Sequence, residues 1–205
     1  MQTHLRMVGG RGKEQMTPVD LGKYAIEYQE AVNVLLDDKT WKREFTLFPS
    51  IYLFRHYIEL RLKEIILTNW EFLGWAKPFP RGHNIYKLWN VCRDCMKETD
   101  KLVDPGFARS KRYIEQIIGV YDALETDLNR FAEIDPDSER SRYPVDSQGN
   151  PIVVDNKVLG KLRRELPELV KRISYNLDGI STGIHTILRD KYAGLAQQEH
   201  SNSII

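Results

Sequence analysis

Cysteine is scarce in this chain: two among 205 residues, Cys92 and Cys95. Two thiols build no disulfide framework and cannot supply a four-thiolate zinc site within one chain. Long apolar runs are missing too. No stretch approaches the ~20 residues of a membrane span, and Met1–Gln15 lacks the apolar segment of a signal peptide. Neither sign of charge dominates: 30 Lys+Arg face 29 Asp+Glu, a formal net charge of +1, so no bulk field draws the chain to nucleic acid or to a membrane. Common catalytic fingerprints are absent as well, with no Gly-rich phosphate loop, no G-x-S-x-G, no H-E-x-x-H and no kinase signature. That disfavours ordinary nucleotide hydrolysis and dehydrogenase chemistry. The expectation is a reduced, cytoplasmic protein with no membrane association, no metal and no cofactor.

What is present is ordinary for a packed domain, 41% hydrophobic and 29% charged residues, and the signals along it are helical. Residues 1–17 are rich in Gly, Arg and Lys without periodicity and read as a flexible tail. Pro18 and Asp20 open a helix to about Asp38, with Tyr24, Tyr28, Val32 and Leu35/Leu36 at spacings of three and four. Pro49-Ser50 opens a second, to about Trp70. Gly74 and the run Lys77-Pro-Phe-Pro-Arg-Gly82 break the chain, and a third helix starts near His83. Pro105-Gly106 ends it, and a fourth carries Tyr113, Ile117, Tyr121, Leu124, Leu128 and Phe131. Residues 135–156 read as an excursion, a small hairpin or irregular loop. Pro167 then starts or kinks a last long helix with Leu169, Ile173, Leu177, Ile180, Ile184 and Leu188 on one stripe. The expected fold is all-α, a single helical bundle of about five helices spanning 18–194, followed by a C-terminal tail at 195–205. Gly179 and Gly183, four apart on the last helix, suit a close helix contact or are merely tolerated.

The second helix is unusual in carrying two polar faces. At ~100° per residue, Ile51, Phe54, Ile58, Leu62 and Ile65 form one apolar face, and Leu53, Leu60 and Leu67 a second. Arg61, Glu64 and Thr68 lie between them on one side, the expected solvent face. On the other side lie Tyr52, Arg55, His56, Glu59 and Lys63. An ordinary surface helix has one apolar stripe and one polar face. If both apolar faces are covered, the Arg55–Lys63 stripe runs beside the core, where charges are costly unless paired. Glu59 bridges Arg55 and Lys63 at (i, i+4) spacing. One carboxylate against several cations leaves a positive remainder suited to a phosphate or carboxylate. The same pattern also suits a solvated salt-bridge stripe, or an internal network that fixes helix register.

Other candidates are weaker. His83 follows Gly82 at a helix start, where turn and cap chemistry is the simpler explanation, though a neutral imidazole there can serve as an acid or base or accompany an anion. Cys92 and Cys95 match C-x-x-C, yet beside Leu88 and Met96 they read as small core residues. Asp178, Thr182, His185 and Arg189 share one face of the last helix, expected to meet solvent by default and an interface as the alternative. Lys157–Arg172 holds six basic and two acidic residues, a local excess of four positive charges that suits a solvated face first, and otherwise RNA or an acidic partner. Arg142-Tyr143-Pro144 in the excursion can aim an arginine at a site, or form a strand edge before a turn.

Two segments resemble a known family. Leu53-Phe-Arg-His-Tyr-Ile-Glu-Leu-Arg-Leu-Lys-Glu-Ile-Ile-Leu67, followed by Gly82-His-Asn-Ile-Tyr-Lys-Leu-Trp89, is similar to the core of the HEPN superfamily, the higher-eukaryote and prokaryote nucleotide-binding domains. Glu59 and Lys63 fit its Glu-x-x-x-Lys-type helix, and His83 and Ile85 fit its His-x-Leu-like helix start. The match covers roughly Pro49–Val103. It implies a helical bundle that binds a nucleotide or RNA, acts in bacterial toxin–antitoxin or phage-defence systems, and forms a homodimer or meets a partner protein. The implied binding residues are Arg55, Glu59, Lys63 and His83, with Arg142 as an added candidate. The family's ribonucleases carry Arg, four to six residues, then His on a late helix. That motif is absent here, where His185 and Arg189 stand in reversed order. A metal-independent ribonuclease of non-standard geometry would draw on Arg55, His56, His83 and Arg142, since arginine can stabilise a scissile phosphate and histidine can move a proton. The remaining expectation is a non-catalytic dimerisation or partner-binding module.

Overall fold

The computed structural model describes residues 16–37, 41, 46–104, 106–134, 148 and 156–202, the side chains of 198–202 excepted. The described residues form an all-α bundle: α1 (Pro18–Leu36), α2 (Leu47–Leu73), α3 (Ile85–Leu102), α4 (Ala108–Gly119), α5 (Tyr121–Ile134) and α6 (Asn156–Asn202). No strand occurs among them. None of the described helices is long and apolar enough to cross a membrane.

The start of α1 follows from its sequence. Thr17 Oγ1 accepts the Asp20 N–H at 3.2 Å and the Asp20 carboxylate accepts the Thr17 N–H at 3.1 Å, a capping box with Pro18 as the first helical residue. The fourth expected helix is instead two. Gly119 ends α4, the Val120 N–H turns back to Ile117 at 3.3 Å, and α5 restarts at Tyr121. The last helix begins at Asn156, ahead of Pro167, and runs 47 residues, about 70 Å at 1.5 Å per residue. It continues to Asn202, beyond the expected boundary at 194.

Pro167 sits inside α6 and has no N–H for the carbonyl of Arg163. The Trp41 indole N–H donates to that carbonyl at 3.0 Å, and Arg163 Nη1 donates back to the Trp41 carbonyl at 3.0 Å. Residue 41, between α1 and α2, thus repairs the gap that proline makes in α6.

The centre of the bundle is α2. Helices α1, α3 and α6 pack on it, while α4 and α5 pack on α6. Every residue from Arg61 to Trp70 is buried. The expected solvent face of α2 is therefore wrong: Arg61, Glu64 and Thr68 are 6%, 3% and 0% exposed. The cause is α6, which lays a polar stripe of its own against this face. Gly183 admits a close α4 contact, since a Cβ there would lie 2.8 Å from Ile117 Cδ1, whereas Gly179 has open space around it. Cys92 and Cys95 are buried free thiols, and the Trp70 indole N–H donates to Cys95 Sγ at 3.1 Å. The expected excursion at 135–156 lies outside the described residues apart from Gln148 and Asn156.

Candidate functional site

How α2 ends decides where His83 lies. Gly74 adopts φ 68°, ψ 26°, the left-handed conformation that glycine takes without strain. Its N–H reaches the Glu71 carbonyl at 3.2 Å and the Trp75 N–H reaches Trp70 at 2.8 Å, the paired bonds that terminate a helix at such a glycine. The chain returns through Pro78 and Pro80 to Gly82, at φ 122°, another conformation suited to glycine. Asn84 then caps α3, its side chain accepting the Lys87 N–H at 2.9 Å.

This return brings His83 over the Arg55–Lys63 stripe. Its Nδ1 lies 2.9 and 3.0 Å from the two Glu59 carboxylate oxygens, and Lys63 Nζ lies 2.8 Å from Glu59. Arg55 Nη2 donates to the His83 backbone carbonyl at 3.0 Å. The Lys63 ammonium also sits 5.5 Å from the centre of the Phe79 ring. Arg55, Glu59 and Lys63 are all buried, whereas the His83 side chain is 68% exposed. Arg55, Glu59 and Lys63 therefore face inward, and they hold the loop that carries His83. Burial alone would raise the Glu59 carboxyl, but hydrogen bonds from Lys63 and His83 outweigh it and hold the group below its ordinary value. An ionised Glu59 needs a donor, so His83 presents Nδ1–H to it, and in the neutral ring Nε2 keeps its lone pair.

One candidate stands apart from this group. His56 is half-buried, its ring edge-on to Tyr28 of α1 at 4.5 Å and stacked on Tyr52 at 6.4 Å. Arg142 lies outside the described residues.

A second network occupies the face of α2 expected to be wet. Arg61 joins Glu64 at 2.7 Å and Asp178 at 2.9 Å. Glu64 Oε1 also receives Ser181 Oγ at 2.9 Å and faces His185 Nε2 at 2.9 Å. Tyr57 OH donates to Asp178 at 2.9 Å and the Gln29 amide donates to its other oxygen at 3.0 Å. Burial would raise the Glu64 carboxyl; bonds from His185, Arg61 and Ser181 bring it below its usual value. Burial, with Asp178 beside it, pushes the Tyr57 phenol well up. Of the four residues expected to face solvent on the last helix, Asp178 and His185 turn toward this network, while Thr182 and Arg189 remain exposed.

The missed signal is a matched spacing. Tyr57, Arg61, Glu64 and Thr68 repeat at 4, 3, 4, and so do Ser174, Asp178, Ser181 and His185. The contacts pair the first three in order, Tyr57 with Ser174, Arg61 with Asp178 and Glu64 with Ser181, so α2 and α6 run parallel here, while His185 reaches back to Glu64. A second missed signal surrounds His83. Residues 72–93 hold Lys77, Arg81, Lys87 and Arg93 with no acidic residue, and Arg81, Lys87 and Tyr86 are exposed. No protein-family model matches this chain, and no curated protein or solved structure matches it either.

Proposed function

We propose that this chain is a HEPN-like helical module that binds a nucleotide or RNA on its His83 face, as a component of a bacterial toxin–antitoxin or phage-defence system. The observation that carries the reading is an exposed imidazole held from below by a buried, ionised carboxylate, within a segment free of acidic residues. Arg81, Lys87 and His83 supply the phosphate contacts there, and Tyr86, 47% exposed, supplies a ring on which a base stacks. Arg55, Glu59 and Lys63 position the loop from beneath.

The test is fluorescence anisotropy with an end-labelled single-stranded RNA. Arg81→Ala and Lys87→Ala, both at exposed positions, should weaken binding and reduce the slope of log affinity against log salt by about 0.7 for each phosphate no longer neutralised. Affinity that is unchanged in the double variant, with unchanged circular dichroism, rejects the reading.

The Glu59–His83 pair favours a metal-independent ribonuclease as a second reading, because a carboxylate that orients Nδ1–H leaves Nε2 to take a proton from an attacking hydroxyl. Cleavage of RNA in the presence of a chelator, lost in His83→Ala, is its expected signature. No cleavage leaves binding alone. Sedimentation with and without RNA tests the homodimer and partner-protein expectations.

A further inference from the structure

The outer edge of α6 carries a row of cations. Lys161, Arg164, Lys171 and Arg189 are exposed, and so are Glu168 and Tyr175 between them. At ~100° per residue all six fall within about 80° of arc, so they form one straight line on a continuous helix. From residue 161 to residue 189 that line is about 42 Å long at 1.5 Å per residue. None of the four cations makes an ion pair or a side-chain hydrogen bond among the described residues.

The charges that border this line are engaged, in contrast to those on it. Arg172 and Arg130 pair with Asp127 and Glu165 at 2.7 and 2.6 Å. Asp178 is held by Arg61, Tyr57 and Gln29, Asp190 accepts from Ser110 at 2.6 Å, and Asp37 has a partner of its own. Glu168 is the one carboxylate on the line, so the line itself carries an excess of three positive charges on a chain whose formal net charge is +1. Tyr175 is 80% exposed, the most open of the large hydrophobic side chains described, and stands one turn beyond Lys171. Packing of the bundle does not account for so open a ring. An aromatic side chain set among cations is the combination that tracks a phosphate backbone and stacks on its bases.

We propose that this edge of α6 binds single-stranded nucleic acid, with Lys161, Arg164, Lys171 and Arg189 meeting phosphates along the strand and Tyr175 stacking on one base. A single strand suits it better than a duplex for two reasons. A flexible strand follows a straight edge of this length, whereas the phosphates of a duplex wind away from it, and stacking requires an unpaired base. An acidic protein segment would satisfy the cations but gives Tyr175 no role. Arg61, which meets α6, lies about 200° around α2 from Glu59, so this edge and His83 are on opposite sides of α2. The proposal therefore does not rest on binding at His83.

Fluorescence anisotropy of the full chain over a range of salt concentrations tests it, with end-labelled oligouridine and oligodeoxythymidine as the two arms. Saturable binding in either arm is expected, and the tighter arm names the sugar. Replacing Lys161, Arg164 and Lys171 together by glutamine should reduce the slope of log affinity against log salt by about 2, at about 0.7 for each phosphate no longer neutralised. Tyr175→Ala should weaken binding about tenfold and leave that slope unchanged, the signature of a lost stack rather than a lost charge. All four positions are exposed, so both variants should keep the circular dichroism of the wild type. The same losses should appear in a chain already carrying Arg81→Ala and Lys87→Ala, which separates this edge from the His83 face. A slope unchanged in the triple variant overturns the proposal, as does equal binding by wild type and Tyr175→Ala. Equal affinity for a duplex, or displacement of the strand by polyglutamate of the same length, overturns it too, the latter by assigning the edge to an acidic protein.

Discussion

Replacing Gly22 by alanine should destabilise the protein, although the same change in most helices would stabilise it. Gly22 lies inside α1, where alanine gains about 1 kcal/mol in helix propensity. An added Cβ, however, would stand 2.9 Å from Glu64 Oε1 and 3.1 Å from its Cδ. A free carboxylate would swing aside at little cost. This one is gripped by Arg61, Ser181 and His185. Moving it sacrifices one or two charge-assisted bonds at about 1.5–3 kcal/mol each, so the net loss is about 0.5–5 kcal/mol after the propensity gain. With a urea slope of about 2 kcal/mol per molar, a 2 kcal/mol loss lowers the unfolding midpoint by about 1 M. Gly179→Ala is the matched control: Gly179 is exposed on α6 with nothing within 4 Å of an added Cβ, and its replacement should stabilise by about 0.5–1 kcal/mol. Opposite signs at the two glycines support a pinned Glu64. Equal stabilisation at both would show that Glu64 moves freely and that its three partners do not hold it.

Acid should unfold the protein through the same groups. Glu59 and Glu64 both titrate below their ordinary value of 4.5 when folded. Their contribution to stability is therefore complete above that value and drains away as pH falls below it. A urea midpoint that is steady from pH 7 to 5 and drops below pH 4.5 is expected; a midpoint flat down to pH 3 contradicts it. Trp41→Phe keeps a ring beside Arg163 but removes the donor to the Arg163 carbonyl, and should cost about 1 kcal/mol. Adding Pro167→Ala, which restores the helical N–H, should make that loss vanish in a double-mutant cycle. Burial pushes both thiols up, Cys92 most strongly, so a thiol reagent at pH 8 should leave the native protein unmodified and label both after denaturation. Fast labelling of either native thiol would show that α3 opens readily.

The all-α architecture is legible because the α3–α5 segments put their apolar residues at spacings of three and four, and the structure buries Leu88, Trp89, Cys92, Leu124, Leu128 and Phe131 accordingly. The break between α4 and α5 is not, because the apolar stripe from Tyr113 to Phe131 runs through Gly119 almost in phase. On α2, the pattern leaves Arg55, Glu59 and Lys63 as either an inward or a solvated stripe, which the structure resolves by burying all three, and it places His83 near a helix start. It misleads at Arg61, Glu64 and Thr68, since a single helix says nothing of what packs upon it. Only the matching 4, 3, 4 spacing on α6, 117 residues further along the chain, reveals that this second polar face is a seam. Long-range pairing is the information that local periodicity lacks.

Glu59 and Glu64 are five residues apart, about 140° around the axis of α2 at 100° per residue, so they look toward different neighbours. Each is buried, each is neutralised by a cation on its own helix, and each faces a histidine from elsewhere in the chain. The two histidines differ in consequence. His185 belongs to a continuous helix, and its bond to Glu64, limited on the other side by Gly22, fixes how α1 and α6 sit on α2. His83 belongs to a loop with two glycines at positive φ, so its position depends on Glu59 and on the Arg55 bond to its carbonyl. Arg55→Lys keeps the buried charge but loses the reach and the planar fork of guanidinium. On this reasoning it should preserve the fold and weaken RNA binding through disorder at residue 83, whereas the equivalent change at Arg61 should lower stability first. RNA affinity unchanged by Arg55→Lys would mean that Glu59 and Lys63 alone suffice to place the imidazole.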